Sequence, residues 1–258
     1  MVPGALLPAG GRRCAFYHRN QRSIRQEKGS WTLEALARSG DELPFFLPRA
    51  EPVDILRGSM KRDLLIATTN SGKLREYRSL FAGLPASLRR PDRLGLNLVV
   101  QEDGENYEEN ATNKALAFAS ASGLLTLADD SGLEVDLLGG EPGIRSSRYA
   151  GPNADDQRRR GYLLQQLRRF PRPWTARFHC VIALVEPGRE PVIAQGTCSG
   201  EIVPVPRGTS GFGYDPIFQI HGGNRTLAQL RLEQKNQISH RAQAFQALLP
   251  ALDAALRR

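Results

Sequence analysis

The pattern of apolar and polar positions predicts that a buried strand is followed directly by an amphipathic helix. Residues 64–67 form a short, uninterrupted apolar run of the length of a strand. Leu74, Tyr77, Leu80 and Phe81 then recur at the three- and four-residue spacing that places side chains on one face of a helix. A strand-to-helix connection therefore lies between the two elements.

The same pattern predicts three further helices and four further strands. The helices cover residues 107–121, 155–170 and 239–256, and the strands cover residues 124–128, 133–138, 176–185 and 192–199. Asn106 is the expected cap of the first of these helices, in a capping box with Glu109, and Ser239 is the expected cap of the last. Because helices and strands mix without a regular βαβ alternation, the fold class is α/β or α+β.

Two adjacent carboxylates, Asp129 and Asp130, stand between two predicted strands in the segment Ala-Asp-Asp-Ser-Gly. The apolar runs on both sides indicate a tight and mostly buried connection. Buried carboxylates are unfavourable unless they are paired, protonated or bound to a cation, and Mg²⁺ prefers such oxygen ligands. An ordinary surface turn is the alternative, because Asp-Ser-Gly is common turn chemistry.

The connection between the first strand and the first helix is a candidate phosphate site. Its residues are Thr68, Thr69, Asn70, Ser71, Gly72 and Lys73. Small polar residues, a glycine and a lysine at a helix N-terminus can bind an anion through backbone N–H groups and one point charge. The segment is not a Walker A loop, because Leu74 follows the lysine. A capped turn without a ligand is the alternative.

A second group of polar residues lies near the start of the helix predicted at residues 107–121. Spacing places Glu109 and Asn113 on one face and Asn110 and Lys114 on the next, and an acid and a lysine near a helix start could serve a metal and a phosphate. A solvated helix face explains the same pattern, and without further context it is the preferred interpretation. The acidic loop at residues 101–105 could donate a second metal carboxylate or be solvated.

A third candidate site combines a glycine-rich segment with the start of the last helix. Glycines on both sides of Phe212 allow close approach of a flat ligand, so this ring could stack on a base. Tyr214 and Asp215 could hydrogen-bond such a base, and His240 and Arg241 project from a helix start. An aromatic-filled turn and a structural histidine are the alternatives.

The composition narrows the choice of partners. A net charge of +8 and a pI of about 9.8 are compatible with nucleic-acid, membrane or phosphorylated partners. The positive charge comes nearly all from arginine. The arginine run at residues 158–160 is typical of a solvated helix face, and contact with nucleic acid is the alternative. No apolar run could span a bilayer, and Cys14, Cys180 and Cys198 form no CxxC pair. We therefore expect a cytoplasmic protein without membrane or nucleic-acid partners.

The first residues differ from the rest of the chain. Residues 1–59 mix glycine, proline and arginine without clear periodicity and carry no signal-peptide pattern. Met60 directly precedes the first predicted strand. We expect one domain over residues 60–258, with residues 1–59 as an extension that is disordered or lies upstream of the true start.

Taken in chain order, these segments resemble the inosine triphosphate pyrophosphatase family, which hydrolyses non-standard purine nucleoside triphosphates. The matching segments are residues 68–73, 109–111 with Lys114, 128–133, 142–149, 210–216, Lys235 and 239–241. The resemblance implies an elongated α/β domain of two lobes with a mixed sheet and the active site in the cleft between them. It also implies a homodimer, a requirement for Mg²⁺, and conversion of XTP, dITP or ITP to the nucleoside monophosphate and pyrophosphate.

The resemblance also implies a role for each matching residue. Residues 68–73 would hold the triphosphate, Lys114 would neutralise phosphate charge, and Ser131 would contact the substrate. Asp130 would orient or deprotonate the attacking water and help to hold Mg²⁺, with support from Asp129. The remaining residues would line a pocket that reads the 6-oxo group of the purine: Phe212, Gly213, Tyr214, Asp215, Lys235, His240 and Arg241.

The acidic loop departs from the family pattern, and this affects the second metal ligand. Glu102 is the expected ligand, with Gln101 and Asp103 as alternatives. Ala242 also stands where glycine is common. Two other functions stay open from the sequence: a related pyrophosphatase for other modified nucleotides, and a non-catalytic nucleotide-binding sensor.

Overall fold

The computed structural model describes residues 61–258, which form one mixed sheet with helices on both faces. The strands are β1 Arg62–Ile66, β2 Ala86–Arg89, β3 Leu125–Val135, β4 Trp174–Val185, β5 Val192–Ile202 and β6 Phe218–Ile220. The helices are α1 Ser71–Leu80, α2 Tyr107–Ser122, α3 Asp156–Leu167, α4 Leu232–Ile238 and α5 His240–Leu256. The predicted α/β class is confirmed, whereas residues 1–59 and Met60 lie outside the described residues.

The sheet changes from parallel to antiparallel pairing at β3. Its strand order is β2-β1-β3-β4-β5-β6. The first three strands in this order are parallel, and the pairs from β3 through β6 are antiparallel. This mixture is why no regular βαβ alternation appears in the sequence. No helix in the described part of the chain is long and apolar enough to cross a membrane.

The predicted helix caps are largely correct. The Asn106 side chain accepts a hydrogen bond from the Glu109 backbone N–H at 2.9 Å, and the Ser239 side chain accepts one from the Ala242 N–H at 3.3 Å. The reciprocal half of the capping box is wrong, because the Glu109 carboxylate accepts from the backbone N–H of Glu105 instead, at 2.9 Å. The short elements β2, β6 and α4 were not predicted from the sequence.

The predicted connection around Asp129 and Asp130 is wrong, and so is the surface-turn alternative. A single strand, β3, runs through the whole segment, with Asp129 opposite Ile182 and Asp130 opposite Val181 of β4. The two carboxylates are only 1% and 4% exposed. Both carboxylates can be buried in the strand because each has polar partners. Residue 132 is a glycine because a Cβ there would lie 2.2 Å from the Gly143 carbonyl oxygen.

Neighbouring β3 residues face different helices. On one face, Leu127 and Ile182 pack in a core cluster with Phe245 of α5. On the other face, Ala128 and Val181 belong to a cluster with the small residues of α2. Because side chains alternate along a strand, Asp129 faces α1 and α5 while Asp130 faces α2.

The sheet leaves an opening beside β3. Strand β1 ends at Ile66, opposite Leu127, and β3 continues to Val135 without it. The chain leaving β1 turns there into the N-terminus of α1. Such crevices outside the carboxyl ends of parallel strands are the usual ligand sites of α/β sheets.

Candidate active site

A cavity of about 550 Å³ occupies this opening and collects most of the predicted site residues. Its wall includes the loop into α1, the middle of β3, the glycine-rich segment before β6, and the facing ends of α4 and α5. The predicted residues on the wall are Thr69, Asn70, Ser71, Gly72, Lys73, Glu102, Asp130, Ser131, Phe212, Gly213, Tyr214, Asp215, Lys235, His240 and Arg241.

Three predicted residues, Thr68, Asp129 and Lys114, lie behind the wall rather than on it. The Thr68 hydroxyl accepts a hydrogen bond from the Asn70 N–H at 3.2 Å and so shapes the loop. The Lys114 ammonium donates to the Asp129 carbonyl oxygen at 2.7 Å and pairs with Glu102 at 2.5 Å. These residues therefore contact groups that line the cavity.

The N-terminus of α1 forms a positively polarised part of the wall. The Asn70 side chain caps the helix by accepting from the Lys73 N–H at 3.0 Å, and the first turn contains no acidic residue. The Lys73 ammonium lies 3.1 Å from a carboxylate oxygen of Asp129. Burial opposes the charge of Lys73, but Asp129 raises its pKa, so the ammonium stays protonated. Together these groups suit an anion such as phosphate.

Asp129 makes its ion pairs through one carboxylate oxygen, Oδ2, while its buried Oδ1 has no hydrogen-bond partner among the described residues. Its Oδ2 atom accepts hydrogen bonds from Arg241 Nε at 3.1 Å and Nη2 at 3.0 Å, in addition to its contact with Lys73. Cys180 Sγ lies 3.8 Å from the same oxygen. Although burial opposes it, Lys73 and then Arg241 hold the pKa of Asp129 well below its usual range. Asp129 is therefore a permanent anion between two cations.

Asp130 differs from Asp129 in both geometry and charge. Its Oδ2 accepts from the Asn110 amide at 3.0 Å and its Oδ1 accepts from the Ser131 N–H at 2.8 Å, so its orientation is fixed. Burial raises the pKa of Asp130; Lys73 opposes the rise, and the Glu102 carboxylate adds to it. No ion pair of Asp130 is seen in residues 61–258, so it can take up a proton or a cation from the cavity.

The carboxylates of Asp130 and Glu102 fit a divalent cation. Both line the cavity, and the influence of Glu102 on the pKa of Asp130 shows that their negative charges act on each other. Within residues 61–258 no three His, Cys, Asp or Glu side chains converge as a complete ligand set. Mg²⁺ typically uses one or two carboxylates and completes its shell with water and substrate phosphates. Gln101 and Asp103, the alternative ligands, are exposed and off the wall.

The other end of the cavity is aromatic and cationic. The Lys235 ammonium lies 4.9 Å from the centre of the Phe212 ring, and the Arg241 guanidinium carbon lies 5.8 Å from it. His240 stacks on Phe178 with ring centres 4.7 Å apart. Burial lowers the pKa of His240, and Arg241 lowers it further, so the imidazole is neutral. A flat ligand with hydrogen-bond acceptors matches these groups.

Glu76 of α1 is a site residue that the sequence reasoning missed. It is 2% exposed, pairs with Lys235 at 2.7 Å, and also pairs with Arg241. Lys235 in turn pairs with Asp215 at 2.5 Å. Its position three residues after Lys73, one helical turn along α1, was the available signal. Glu76 thus joins the cationic residues of both ends of the cavity into one chain of ion pairs.

Helix α3 also contributes to the site, which the sequence reasoning missed as well. Asp156 and Arg159 line the cavity. Asp156 Oδ2 accepts from the Gly213 N–H at 2.6 Å, and Arg160 Nη1 donates to the Gly213 carbonyl oxygen at 2.7 Å. The predicted solvated face is therefore correct for Arg158 but wrong for Arg159 and Arg160.

A cavity with an anion site, a carboxylate pair and a flat aromatic end is typical of α/β enzymes that act on phosphorylated ligands. Residues 64–251 match the family model described as the Ham1 family. The chain belongs to this family.

Relatives and solved structures agree with the family assignment. The chain is 46% identical over 186 residues to a protein of Geobacter sulfurreducens named dITP/XTP pyrophosphatase, covering 72% of this chain and 94% of the relative. It is 40% identical over 194 residues to the dITP/XTP pyrophosphatase of Bacillus subtilis, covering 75% and 98%. The Ham1 protein of Coxiella burnetii superposes with a TM-score of 0.68 at 41% identity, covering 75% of this chain and 99% of that one.

Proposed function

We propose that the protein is a Mg²⁺-dependent nucleoside triphosphate pyrophosphatase acting on non-standard purine nucleotides. Its substrates would be XTP, dITP and ITP, and its products the nucleoside monophosphate and pyrophosphate, which removes these nucleotides from the cellular pool. The observation that carries the proposal is one cavity whose wall combines Asp130, an anion site and an aromatic, cationic pocket. The name of the relatives, dITP/XTP pyrophosphatase, supports the same activity.

Asp130 is the proposed base for the attacking water. The water oxygen attacks the α-phosphorus, and a water proton passes to Asp130. The bond between the α-phosphorus and the oxygen that bridges it to the β-phosphate breaks, and pyrophosphate leaves. Asn110 and the Ser131 N–H fix the carboxylate, and its raised pKa suits it to accept a proton. Mg²⁺ held by Asp130 and Glu102 would supply charge neutralisation of the triphosphate.

The residues around the α1 N-terminus are the proposed binding site for the departing pyrophosphate. Lys73 and the backbone N–H groups of Ser71 and Gly72 bring positive charge to the wall. Asp129 keeps Lys73 in place, and Lys114 does the same for Glu102. Positioning and charge neutralisation of this kind supply most of the catalysis in phosphoryl transfer.

The aromatic and cationic end is the proposed purine pocket. Lys235 and Arg241 are donors, and neutral His240 can donate from one ring nitrogen. Lys235 and Arg241 are already paired with Glu76, Asp215 and Asp129, so only the N–H groups that these pairs leave over can serve a base. Against a 6-oxo purine those N–H groups find an acceptor, whereas a 6-amino group places a donor against a donor. Such a mismatch can discriminate by on the order of 10⁴-fold in the best sites.

We also propose a homodimer in the cytoplasm, without nucleic-acid or membrane partners. This proposal rests on the family resemblance and on the absence of a membrane-spanning helix from residues 61–258. Sedimentation velocity at several concentrations tests the dimer, and a single monomeric species at all of them would contradict it.

The decisive experiment follows turnover of XTP, dITP and ATP with Mg²⁺ and detects pyrophosphate and orthophosphate separately. Wild-type protein is expected to release pyrophosphate from XTP and dITP but not from ATP, and Asp130→Asn to lose this activity. Asp253→Asn, which alters an exposed carboxylate of α5 off the cavity wall, is the matched control and should retain it. Binding of XTP without turnover would instead support a sensor, and turnover of modified pyrimidine triphosphates a related pyrophosphatase.

A further inference from the structure

We propose that Asp156 and Arg160 of α3 are positioning residues that set the purine selectivity of the site. They act on the base loop, defined here as residues 211–215, which carries Phe212, Tyr214 and Asp215. The inference rests on the proposed function, because it assigns a selectivity device to the same pocket.

Both backbone groups of Gly213 are bound by α3. The Gly213 N–H donates to Asp156 Oδ2 at 2.6 Å, and its carbonyl oxygen accepts from Arg160 Nη1 at 2.7 Å. Gly213 has a φ of 60°, in the left-handed region that favours glycine, and a Cβ there would meet nothing within 4 Å. Conformation rather than space therefore requires this glycine, and two charged side chains hold that conformation.

The clamp on Gly213 controls its two aromatic neighbours. Phe212 and Tyr214 flank Gly213, so the orientation of its peptide units decides where both rings point. The loop also holds itself through the Phe212 N–H to Asp215 Oδ2 at 2.9 Å, the Asp215 N–H to the Phe212 carbonyl oxygen at 3.1 Å, and the Tyr214 hydroxyl to the Ser146 carbonyl oxygen at 3.0 Å, and Asp215 pairs with Lys235. These contacts bind the Phe212 carbonyl oxygen, but the N–H and the carbonyl oxygen of Gly213 itself are bound by α3.

Asp156 is itself held in place. Its second carboxylate oxygen pairs with Arg159, whose guanidinium also donates to the Ser147 carbonyl oxygen at 2.9 Å and to the Ala154 carbonyl oxygen. A carboxylate fixed in this way is a more rigid acceptor for Gly213 than a free surface side chain. The clamp is therefore a built arrangement of three α3 residues around one peptide unit.

The clamp makes no direct contact with Lys73 or Asp130, although the Phe212 ring of the base loop lies against Gly72, where an added Cβ would be 2.4 Å from it. Lys73 and Asp130 take their contacts from Asn70, Asp129, Asn110 and Ser131, and none of these contacts comes from α3. Loss of the clamp should therefore weaken recognition of the base while leaving recognition of pyrophosphate intact. A general loss of folding would affect both.

The test compares Asp156→Ala and Arg160→Leu with Arg158→Ala as the matched control. Arg158 is exposed on the same helix, and its side chain makes no hydrogen bond or ion pair within residues 61–258. The ratio of kcat/KM for ITP to that for ATP is expected to fall about tenfold in the first two variants, on the scale of one lost hydrogen bond to a charged group. The inhibition constant of IMP should rise similarly, and that of pyrophosphate should not change.

Conservative variants separate positioning from charge alone. Asp156→Asn keeps an acceptor oxygen for the Gly213 N–H and should retain most of the selectivity, even if Asp156→Ala does not fold. Equal losses for ITP and ATP, or parallel changes in the inhibition constants of IMP and pyrophosphate, would overturn the proposal. Equal ITP-to-ATP selectivity in Arg158→Ala and Arg160→Leu would also overturn the proposal.

Hydrogen exchange keeps the clamp testable if the proposed function fails. Peptides covering the base loop should exchange faster in Asp156→Ala and Arg160→Leu than in wild type or Arg158→Ala, and peptides from α2 should not. Wild-type protein that turns over neither ITP nor XTP would reject the proposed function. Unchanged exchange of the base loop in both variants would reject the clamp.

Discussion

Arg241 binds Asp129 through two nitrogen atoms that share one carboxylate oxygen, with Nε at 3.1 Å and Nη2 at 3.0 Å. The same guanidinium donates to the Ser131 hydroxyl at 2.9 Å and to Glu76. The first turn of α5 is thereby joined to the middle of β3 and to α1. Both partners are only 1% exposed, so this pair is held away from water.

Removing one partner of this pair should be strongly destabilising. Asp129→Asn leaves the buried Lys73 without its ion-pair partner and Arg241 with Glu76 alone, and we expect a loss of about 3–5 kcal/mol in the free energy of unfolding. Urea denaturation followed by circular dichroism measures the loss. Arg145→Ala, which breaks an exposed pair with Glu141, is the control and should cost less than about 1 kcal/mol. Similar midpoints for the two variants would contradict the prediction.

His240 should make the protein less stable in mild acid. Its folded-state pKa lies well below 6.5, so the unfolded chain binds a proton that the folded protein excludes. The contribution of His240 to the free energy of unfolding is therefore largest above about pH 6.5, and it decreases as the pH falls toward the folded-state pKa. In His240→Gln the difference between urea midpoints at pH 7 and pH 5 should shrink. His221→Gln changes an exposed histidine and should leave that difference as in wild type.

Gly132 should not tolerate a side chain. A Cβ at this position would lie 2.2 Å from the Gly143 carbonyl oxygen and 2.6 Å from the Tyr107 hydroxyl. Gly132→Ala must therefore shift the β3 backbone or the Gly143 backbone, and Gly132 is only two residues from Asp130. We expect a loss of stability of about 1–3 kcal/mol and a fall in kcat. Gly161→Ala, in α3 with nothing within 4 Å of the added carbon, should instead stabilise by about 0.5–1 kcal/mol. Thermal unfolding of both variants distinguishes the two effects.

Glu102 should determine how much Mg²⁺ the reaction requires. Glu102→Gln removes one of the two carboxylates proposed to hold Mg²⁺, and it releases the Lys114 ammonium from its ion pair. The Mg²⁺ concentration for half-maximal velocity is expected to rise at least about tenfold, the loss typical of removing even an outer-shell partner of a metal site. A Mg²⁺ titration at saturating XTP measures this. An unchanged requirement would assign the second carboxylate elsewhere.

Local sequence signals predicted the longer helices and most of the cavity wall. The apolar spacing in α1, the caps Asn106 and Ser239, and the polar loop from Thr69 to Lys73 depend on residues within one or two helical turns of each other. Such signals can be recognised in short windows of sequence. Their positions in the structure therefore agree with the prediction to within a few residues.

Contacts between distant segments could not be predicted in this way. Whether Asp129 lies in a turn or in a buried strand depends on Arg241, which is 112 residues further along the chain. The clamp on Gly213 depends on Asp156, at a separation of 57 residues. In both cases the local sequence is compatible with a solvated surface, and only the tertiary fold supplies the partner that makes burial favourable.

The alternation of side chains along β3 decides which carboxylate performs which task. Asp129 and Asp130 are chemically identical, yet the pairing of β3 with β4 turns one toward Arg241 and the other toward Asn110. Sliding β3 by one position would turn each of them to the opposite face, because every side chain would change face. The division between salt-bridge anchor and proposed proton acceptor is thus encoded in strand alignment, so a single-residue insertion or deletion upstream in β3 would take both aspartates away from their partners without altering either one.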